Sequence, residues 1–120
     1  MRACRLVAVY GTLREGQYNH EIYLKGERPV RRGSVELPFR MYANDEYPMI
    51  VPSNERHPIW VEVFRVDELK LRELDALEIP YGYRRETMRL ENFDIEAEIY
   101  VYPAPPPPGF QLVENGDWNA

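Results

Sequence analysis

The sequence predicts a small α+β fold in which short helices interrupt a series of strands. Its 120 residues suit one domain, residues 1–120, with one modest core, and 44% of them are hydrophobic. Short apolar, β-favouring runs recur along the chain, whereas helical periodicity is clearest between residues 67 and 78. These features indicate a packed, mainly β structure and argue against a disordered chain.

Composition narrows the classes of function. The formal net charge of −5 argues against a nucleic-acid partner, because phosphate binding needs a basic surface. The single cysteine, Cys4, excludes an internal disulfide and favours a reducing compartment; in an apolar strand it is expected to be a buried packing residue rather than a nucleophile. No apolar stretch reaches ~18 residues and no signal peptide is recognisable, so a cytoplasmic protein without a membrane contact is expected.

The first strand and the turn after it carry the first candidate site. Residues 4–10 are apolar and β-favouring and end at Gly11, and Asn19 can cap a short helix further on. Free backbone amides in such a turn suit an anion. Gly11 and Gly16 permit positive φ and close approach of a ligand. The alternative is a tight turn that binds nothing.

The middle of the chain is β-like but irregular. Residues 30–35, 37–42 and 47–51 are predicted strands, punctuated by residues such as Gly33 and Pro38 that favour bulges or edges. A polar loop is predicted over residues 53–58. Residues 59–66 form the clearest strand; both of its faces are largely apolar, which predicts a central position. Glu62 interrupts that pattern and is expected either at a wet rim or in a site.

The helix after this strand aims a carboxylate inward. Asp67 is a good N-cap, and Pro80 stops the helix. At ~100° per residue, Leu71, Leu74 and Glu78 fall on one stripe. An inward carboxylate is costly unless something uses or pairs with it. The alternative is that the last turn unwinds and Glu78 reaches water.

The last third of the chain is read as two strands and an extended tail. Alternation places Tyr83, Arg85 and Thr87 on one face of the first strand. In the second, residues 95–102, the inward positions are Ile95, Ala97, Ile99 and Val101. The proline run at 103–108 is expected to be a stiff spacer rather than a docking motif, and Trp118 is expected to pack back on the body.

The sequence lacks the motifs of several kinds of catalytic and metal site. The histidines, His20 and His57, and the one cysteine show no metal-ligand spacing. His20 is a possible base but is expected to be exposed at a helix start. The chain has no Gly-x-Ser-x-Gly and no phosphate-loop lysine. What remains is the turn after the first strand, the inward Glu78, and the pair Tyr83 and Arg85.

Taken together, these segments resemble the gamma-glutamylcyclotransferase-like family, and most closely its gamma-glutamylamine cyclotransferase branch. The matching segments are 9–20 (Val-Tyr-Gly-Thr-Leu-Arg-Glu-Gly-Gln-Tyr-Asn-His), 47–50, 62–68, 74–78 (Leu-Asp-Ala-Leu-Glu), Pro80, 83–85 (Tyr-Arg-Arg) and 115–118. The first motif and the Leu-Asp-x-x-Glu motif with Tyr-x-Arg after it are specific in this order and spacing. The resemblance spans nearly the whole chain.

The resemblance implies a fold, a reaction and site residues. The fold is a small barrel-like β-sheet with short flanking helices. The reaction converts a gamma-glutamyl amine or amino acid to 5-oxoproline and a free amine, without cofactor or metal. Glu78 matches the catalytic acid/base, Tyr83 matches a tyrosine near the pocket, and the matching substrate-binding turn is Tyr10, Gly11, Thr12 and Leu13. Many members carry a glycine directly after the catalytic glutamate. This chain has Ile79 at that position, and the gamma-glutamylamine branch also lacks the glycine. The rivals are a lyase acting on another gamma-glutamyl conjugate and a non-catalytic binding or interaction module on the same fold.

Overall fold

The computed structural model describes residues 4–119, and their strands form one mixed six-stranded sheet with short helices beside it. The predicted α+β class is therefore confirmed. The elements are β1 Cys4–Val9, α1 Tyr18–Tyr23, β2 Arg31–Ala43, β3 Pro48–Asp67, α2 Glu68–Glu78, β4 Arg84–Leu90, β5 Ile95–Val101 and β6 Gln111–Leu112. Short 3₁₀ turns occupy Ile79–Tyr81 and Glu91–Phe93.

The sheet has the order β4-β5-β1-β3-β2-β6, so β1 and β3 lie at its centre. β1 pairs antiparallel with β3, with Val7 opposite Phe64, and parallel with β5, with Ala8 opposite Ile99. The predicted central position of residues 59–66 is thus confirmed. Because β1 lies between β3 and β5, the turn that follows β1 emerges beside elements distant in sequence.

Apolar side chains cover both faces of the sheet. On one face the core includes alternate residues of β3, Ile59, Val61 and Val63, together with the inward positions of β5. Phe64 and Val66 belong to a second core on the other face. Helix α2 packs onto this second face through Leu71 and Leu74, which are 1% and 0% exposed. The α2 side of the sheet is therefore the side on which Glu78 lies.

The long ribbon of β2 and β3 differs from the prediction of short strands and a polar loop. β3 runs from Pro48 to Asp67, so the loop prediction over 53–58 is wrong. The pairing changes register between Leu37, opposite His57, and Phe39, opposite Pro52, so the predicted irregularity at Pro38 is confirmed. Residues 54–56 are exposed, and their polarity is compatible with a strand that leaves the core.

Of the predictions for the two ends of the described chain, the one for Trp118 is confirmed and the one for Cys4 is wrong. Trp118 packs into the core with 7% exposure, as predicted. Cys4 is exposed rather than buried, because it lies at the very start of β1, opposite the last residue of β3. Within residues 4–119 no helix combines the length and apolar composition needed to cross a membrane.

Candidate active site

A cavity of about 410 Å³ opens between the turn after β1, helix α1, the start of β3 and the end of α2. All of the site residues predicted from the sequence line it: Tyr10, Gly11, Thr12, Leu13, Glu78 and Tyr83. The sheet order brings these separate segments together, since β1 lies between β3 and β5 and α2 follows directly from β3.

The turn at residues 11–13 has backbone donors that the fold leaves unused. Its carbonyl oxygens are engaged: that of Gly11 accepts from the N–H of Arg14 at 3.0 Å, and that of Thr12 accepts from the N–H of Asn19 at 2.9 Å. By contrast, among residues 4–119 the backbone N–H groups of Gly11, Thr12 and Leu13 have no hydrogen-bond acceptor. These amides remain available to a ligand with negative charge.

Glycine is required at position 11 for space and not for its dihedral angle. Positive φ occurs at Gly16 (89°) as expected, whereas Gly11 does not take positive φ, so that part of the expectation is wrong. A Cβ atom at Gly11 would lie 2.7 Å from Cγ and 2.8 Å from Cδ of Pro48. The turn therefore packs directly against the first residue of β3.

The carboxylate of Glu62 on β3 stabilises this turn through a hydrogen bond. Its side chain is 4% exposed, and its Oε1 accepts from the backbone N–H of Glu15 at 2.7 Å. Arg14 lies beside it, with Nε 3.5 Å from Oε2, and also donates to Asp117 at 2.9 Å. Glu62 is thus a buried and paired supporting residue, not a rim residue. The charge in the strand pattern is explained by the polar turn it holds.

Helix α1 begins differently from the prediction. Its N-cap is Gln17, and Asn19 instead donates from Nδ2 to Oγ1 of Thr12 at 2.8 Å. His20 is 4% exposed rather than at the surface, because its Nδ1 donates to the carbonyl of Leu13 at 3.1 Å and its ring packs on Phe64. Both side chains stabilise the turn from the helix side.

Glu78 is the half-buried last residue of α2. It keeps helical dihedrals (φ −90°, ψ −41°) and leads into the 3₁₀ turn Ile79–Tyr81, so the last turn of α2 does not unwind. Among residues 4–119 its carboxylate has neither a hydrogen-bond donor nor an ion-pair partner. Burial raises the pKa of Glu78 to about 7. The inward orientation implied by the Leu71 and Leu74 stripe is the one observed.

Tyrosines form much of the cavity wall, and the innermost ones are fixed by the protein. Tyr83 donates from its hydroxyl to the carbonyl of Pro48 at 2.7 Å, and Tyr10 donates to the carbonyl of Tyr100 at 2.7 Å. Burial, with the negative charge of Glu78 nearby, raises the pKa of Tyr83, so its hydroxyl stays protonated. Because both protons are already donated, these hydroxyls can offer only lone pairs to a ligand.

Two features of the cavity were missed by the sequence analysis. Tyr100 lines it, although only the opposite face of β5 had been singled out. Its position on the alternate face of a predicted strand was the only available signal. The charged side chains that line the cavity within residues 4–119 are Glu46 and Glu78, both acidic. An anionic group of a ligand would therefore rely on the backbone amides of the turn.

The raised pKa of Glu78 predicts a pH-dependent stability difference. The folded protein binds this proton more tightly than the unfolded chain, so stability is lost as pH rises from about 4.5 to about 7. In Glu78→Gln this loss is absent. We expect the melting temperature of Glu78→Gln, relative to that of the parent protein, to increase from pH 5 to pH 8. A constant difference across that range would contradict a buried, unpaired carboxylate.

The chain is similar to a known family and to several known proteins. The family model described as gamma-glutamyl cyclotransferase, AIG2-like, matches residues 7–120. A candidate gamma-glutamylcyclotransferase of Methanocaldococcus jannaschii is 39% identical over 117 residues, covering 94% of each chain. The gamma-glutamylaminecyclotransferase of Bos taurus is 32% identical over 110 residues, covering 80% of this chain and 63% of that protein. The crystal structure of an uncharacterised Pyrococcus horikoshii protein superposes with a TM-score of 0.77 at 28% identity, covering 94% of this chain and 88% of the other.

Proposed function

The chain belongs to the gamma-glutamyl cyclotransferase, AIG2-like family, which confirms the resemblance of its motifs, and from that premise we propose a specific reaction for it. It converts a gamma-glutamyl amine or amino acid to 5-oxoproline and the free amine. The observation that carries the proposal is an unpaired, half-buried Glu78 carboxylate sharing one cavity with the free amides of residues 11–13.

The reaction needs positioning and a single proton transfer. The α-amine of the glutamyl group attacks the side-chain amide carbonyl, forming the ring C–N bond, and the bond to the leaving nitrogen breaks. One proton passes from the attacking nitrogen to the leaving nitrogen, so atoms and charge balance without water or a cofactor. Because both reacting groups belong to one molecule, holding the substrate in the cyclising conformation supplies much of the rate enhancement.

Glu78 is assigned the proton transfer. As a carboxylate it accepts the proton of the attacking amine, and as the acid it returns the proton to the departing nitrogen. A group with a pKa of about 7 performs both steps near neutral pH, whereas an unshifted glutamate is a weak base there. The absence of a protein partner, among the described residues, leaves its carboxyl free to face the substrate.

The turn is assigned the glutamyl end of the substrate. The amides of Gly11, Thr12 and Leu13 hold the substrate carboxylate or the oxyanion that develops on the attacked carbonyl. Tyr10 and Tyr83 line the site. The hydroxyl of Tyr83, which donates to the carbonyl of Pro48, keeps lone pairs that can accept from the α-amine. The hydroxyl of Tyr10 is held by the protein on both sides, since it donates to the carbonyl of Tyr100 and accepts from the N–H of Ile50 at 3.3 Å.

A panel of gamma-glutamyl amines and gamma-glutamyl amino acids tests the proposal. We expect at least one compound to yield 5-oxoproline and free amine in equal amounts when incubated with the purified protein. Compounds that bind in calorimetric titration without yielding 5-oxoproline would instead support a non-catalytic binding module. The panel also identifies the leaving amine.

The same pKa predicts the pH dependence of the reaction. The base form of Glu78 is needed for attack, so kcat/KM is expected to fall as pH decreases through about 7. Initial rates of 5-oxoproline release between pH 5 and pH 9 measure this limb. A limb near pH ~4.3, the value for an unperturbed glutamate, would show that the base is exposed or is another group.

A further inference from the structure

A polar cluster next to the cavity joins helix α2 to strands β4 and β5, and one of its members, Tyr100, also lines the cavity. Asp75 is on α2, three residues before Glu78. Its carboxylate accepts from Nε of Arg85 at 2.8 Å, from Nη2 of Arg85 at 3.2 Å and from the hydroxyl of Tyr100 at 2.7 Å. Arg85 belongs to β4 and Tyr100 to β5, so one side chain of the helix is tied to two strands.

Arg85 is oriented in turn by a second carboxylate, that of Glu98. Its Nη1 donates to Glu98, a residue only 4% exposed. Glu98 also accepts from Oγ1 of Thr87 at 2.6 Å and lies 3.3 Å from Nη2 of Arg5. Burial alone would raise the pKa of Glu98, but the hydrogen bonds from Thr87, Arg85 and Arg5, with the positive charge of Arg5, outweigh it and lower the pKa. Glu98 therefore stays anionic and fixes the orientation of the Arg85 fork.

The contacts of Asp75 join the end of α2 to the sheet. Among residues 4–119, no other side chain between positions 72 and 82 makes a hydrogen bond to a strand, and the last turn of α2 carries no basic residue. Glu78 also lacks a partner of its own. The position of its carboxyl therefore depends on apolar packing and on Asp75.

Tyr100 connects the two halves of the site. Its hydroxyl donates to Asp75, and its backbone carbonyl accepts from the hydroxyl of Tyr10, which precedes the turn at 11–13. A continuous path of short hydrogen bonds thus runs from the turn through β5 to the helix that carries Glu78. The end of α2 is therefore linked to the turn by polar contacts in addition to apolar packing.

We propose that Asp75 is a positioning residue, which Arg85 and Tyr100 hold so that the end of α2 stays fixed relative to the turn. The proposal rests on the proposed function, in which Glu78 must reach both nitrogens of the substrate. It also accounts for the aspartate of the Leu-Asp-x-x-Glu motif and the arginine of Tyr-x-Arg. They meet across the helix–sheet interface.

Two variants test this with little change of shape. Tyr100→Phe removes one hydroxyl and keeps the cavity wall and the carbonyl that holds Tyr10. Asp75→Asn removes the charge that orients Arg85. We expect either change to lower kcat by about 10- to 100-fold with little change in KM, since small misplacements of a reacting group have effects of that size. Asp94→Asn is the control, because Asp94 pairs with Arg89 on the exposed surface and should leave both constants unchanged.

A second readout separates positioning from a general loss of fold. The carboxyl carbon of Glu78 is followed by NMR from pH 4 to pH 9, and melting is recorded for each variant. In folded Tyr100→Phe and Asp75→Asn the pKa of Glu78 should move down toward its ordinary value, because the helix end loosens and water enters; in Asp75→Asn the freed Arg85 cation acts in the same direction. Tyr10, Tyr83 and Tyr100 interact electrostatically with this carboxyl. The other titratable side chains that line the cavity within residues 4–119 are Glu46, Tyr18, Tyr23, Tyr47 and Tyr81.

An unchanged kcat and an unchanged Glu78 titration in folded Tyr100→Phe would overturn the proposal. If Asp75→Asn fails to fold, Tyr100→Phe alone decides. If the parent protein releases no 5-oxoproline from any compound, the proposed function fails, and the NMR titration still decides whether the cluster positions Glu78.

Discussion

Replacing Glu78 by glutamine is expected to reduce 5-oxoproline release to a small residual rate and to leave the fold intact. The amide has nearly the same shape as the carboxylate but cannot accept a proton and return it. Loss of a general acid/base typically lowers the rate by ~10²–10⁴-fold. Because the carboxylate is half-buried and unpaired within the described chain, its removal should leave the melting temperature level or higher, as at other strained functional sites.

Glu73→Gln provides the matched control on the same helix. The side chain of Glu73 is 54% exposed and, within residues 4–119, makes only a surface pair with Lys70, so its loss should alter neither turnover nor melting. Initial rates of 5-oxoproline release and thermal melting are compared for the parent and both variants. Full turnover in folded Glu78→Gln would remove Glu78 from the mechanism.

Gly11→Ala is expected to have the second-largest effect. The added Cβ meets the ring of Pro48 at 2.7 Å and 2.8 Å, a distance that the ring of a proline cannot relieve by rotation. Either the turn or the start of β3 must move, and such overpacking typically costs about 1–3 kcal/mol of stability. Since the displaced turn carries the free amides, the affinity for a ligand is expected to fall as well. A loss of ~1.4 kcal/mol in binding free energy corresponds to a tenfold loss of affinity.

A rescue experiment isolates the cause. Pro48→Ala removes the colliding Cγ and Cδ atoms but keeps the backbone carbonyl that accepts from Tyr83. The double variant Gly11→Ala, Pro48→Ala should regain much of the melting temperature and of the affinity for L-5-oxoproline, measured by calorimetric titration. If Gly11→Ala alone binds and melts like the parent, the close approach of the turn to Pro48 does not constrain the site.

Local patterns predicted the parts of the site that depend on one element. The helical stripe of Leu71, Leu74 and Glu78 follows from the 3.6-residue period, and the structure places these residues as the stripe indicated. The two apolar faces of residues 59–66 likewise predicted a central strand. In both cases the relevant geometry is set within about ten residues, so sequence alone contains it.

The parts that were missed depend on contacts between distant segments. Tyr100 reaches Asp75 only because β5 lies next to β1 and beneath α2, an arrangement that no local pattern contains. Position 11 requires glycine because the ring of Pro48 leaves no space for a Cβ atom, and not because of the backbone dihedral angle there. His20 is buried because its ring packs on Phe64 of β3. Each of these contacts joins segments far apart in the sequence.

The most direct measurement follows the products of the reaction in ¹⁸O-labelled water. Cyclisation uses no water, so a gamma-glutamyl compound chosen from the panel should give unlabelled 5-oxoproline and one equivalent of free amine. Glu78→Gln should give both at least ~100-fold more slowly. Labelled glutamate in place of 5-oxoproline would show hydrolysis. That result, or product formation at the parent's rate in Glu78→Gln, would contradict a cyclotransferase in which Glu78 transfers the proton.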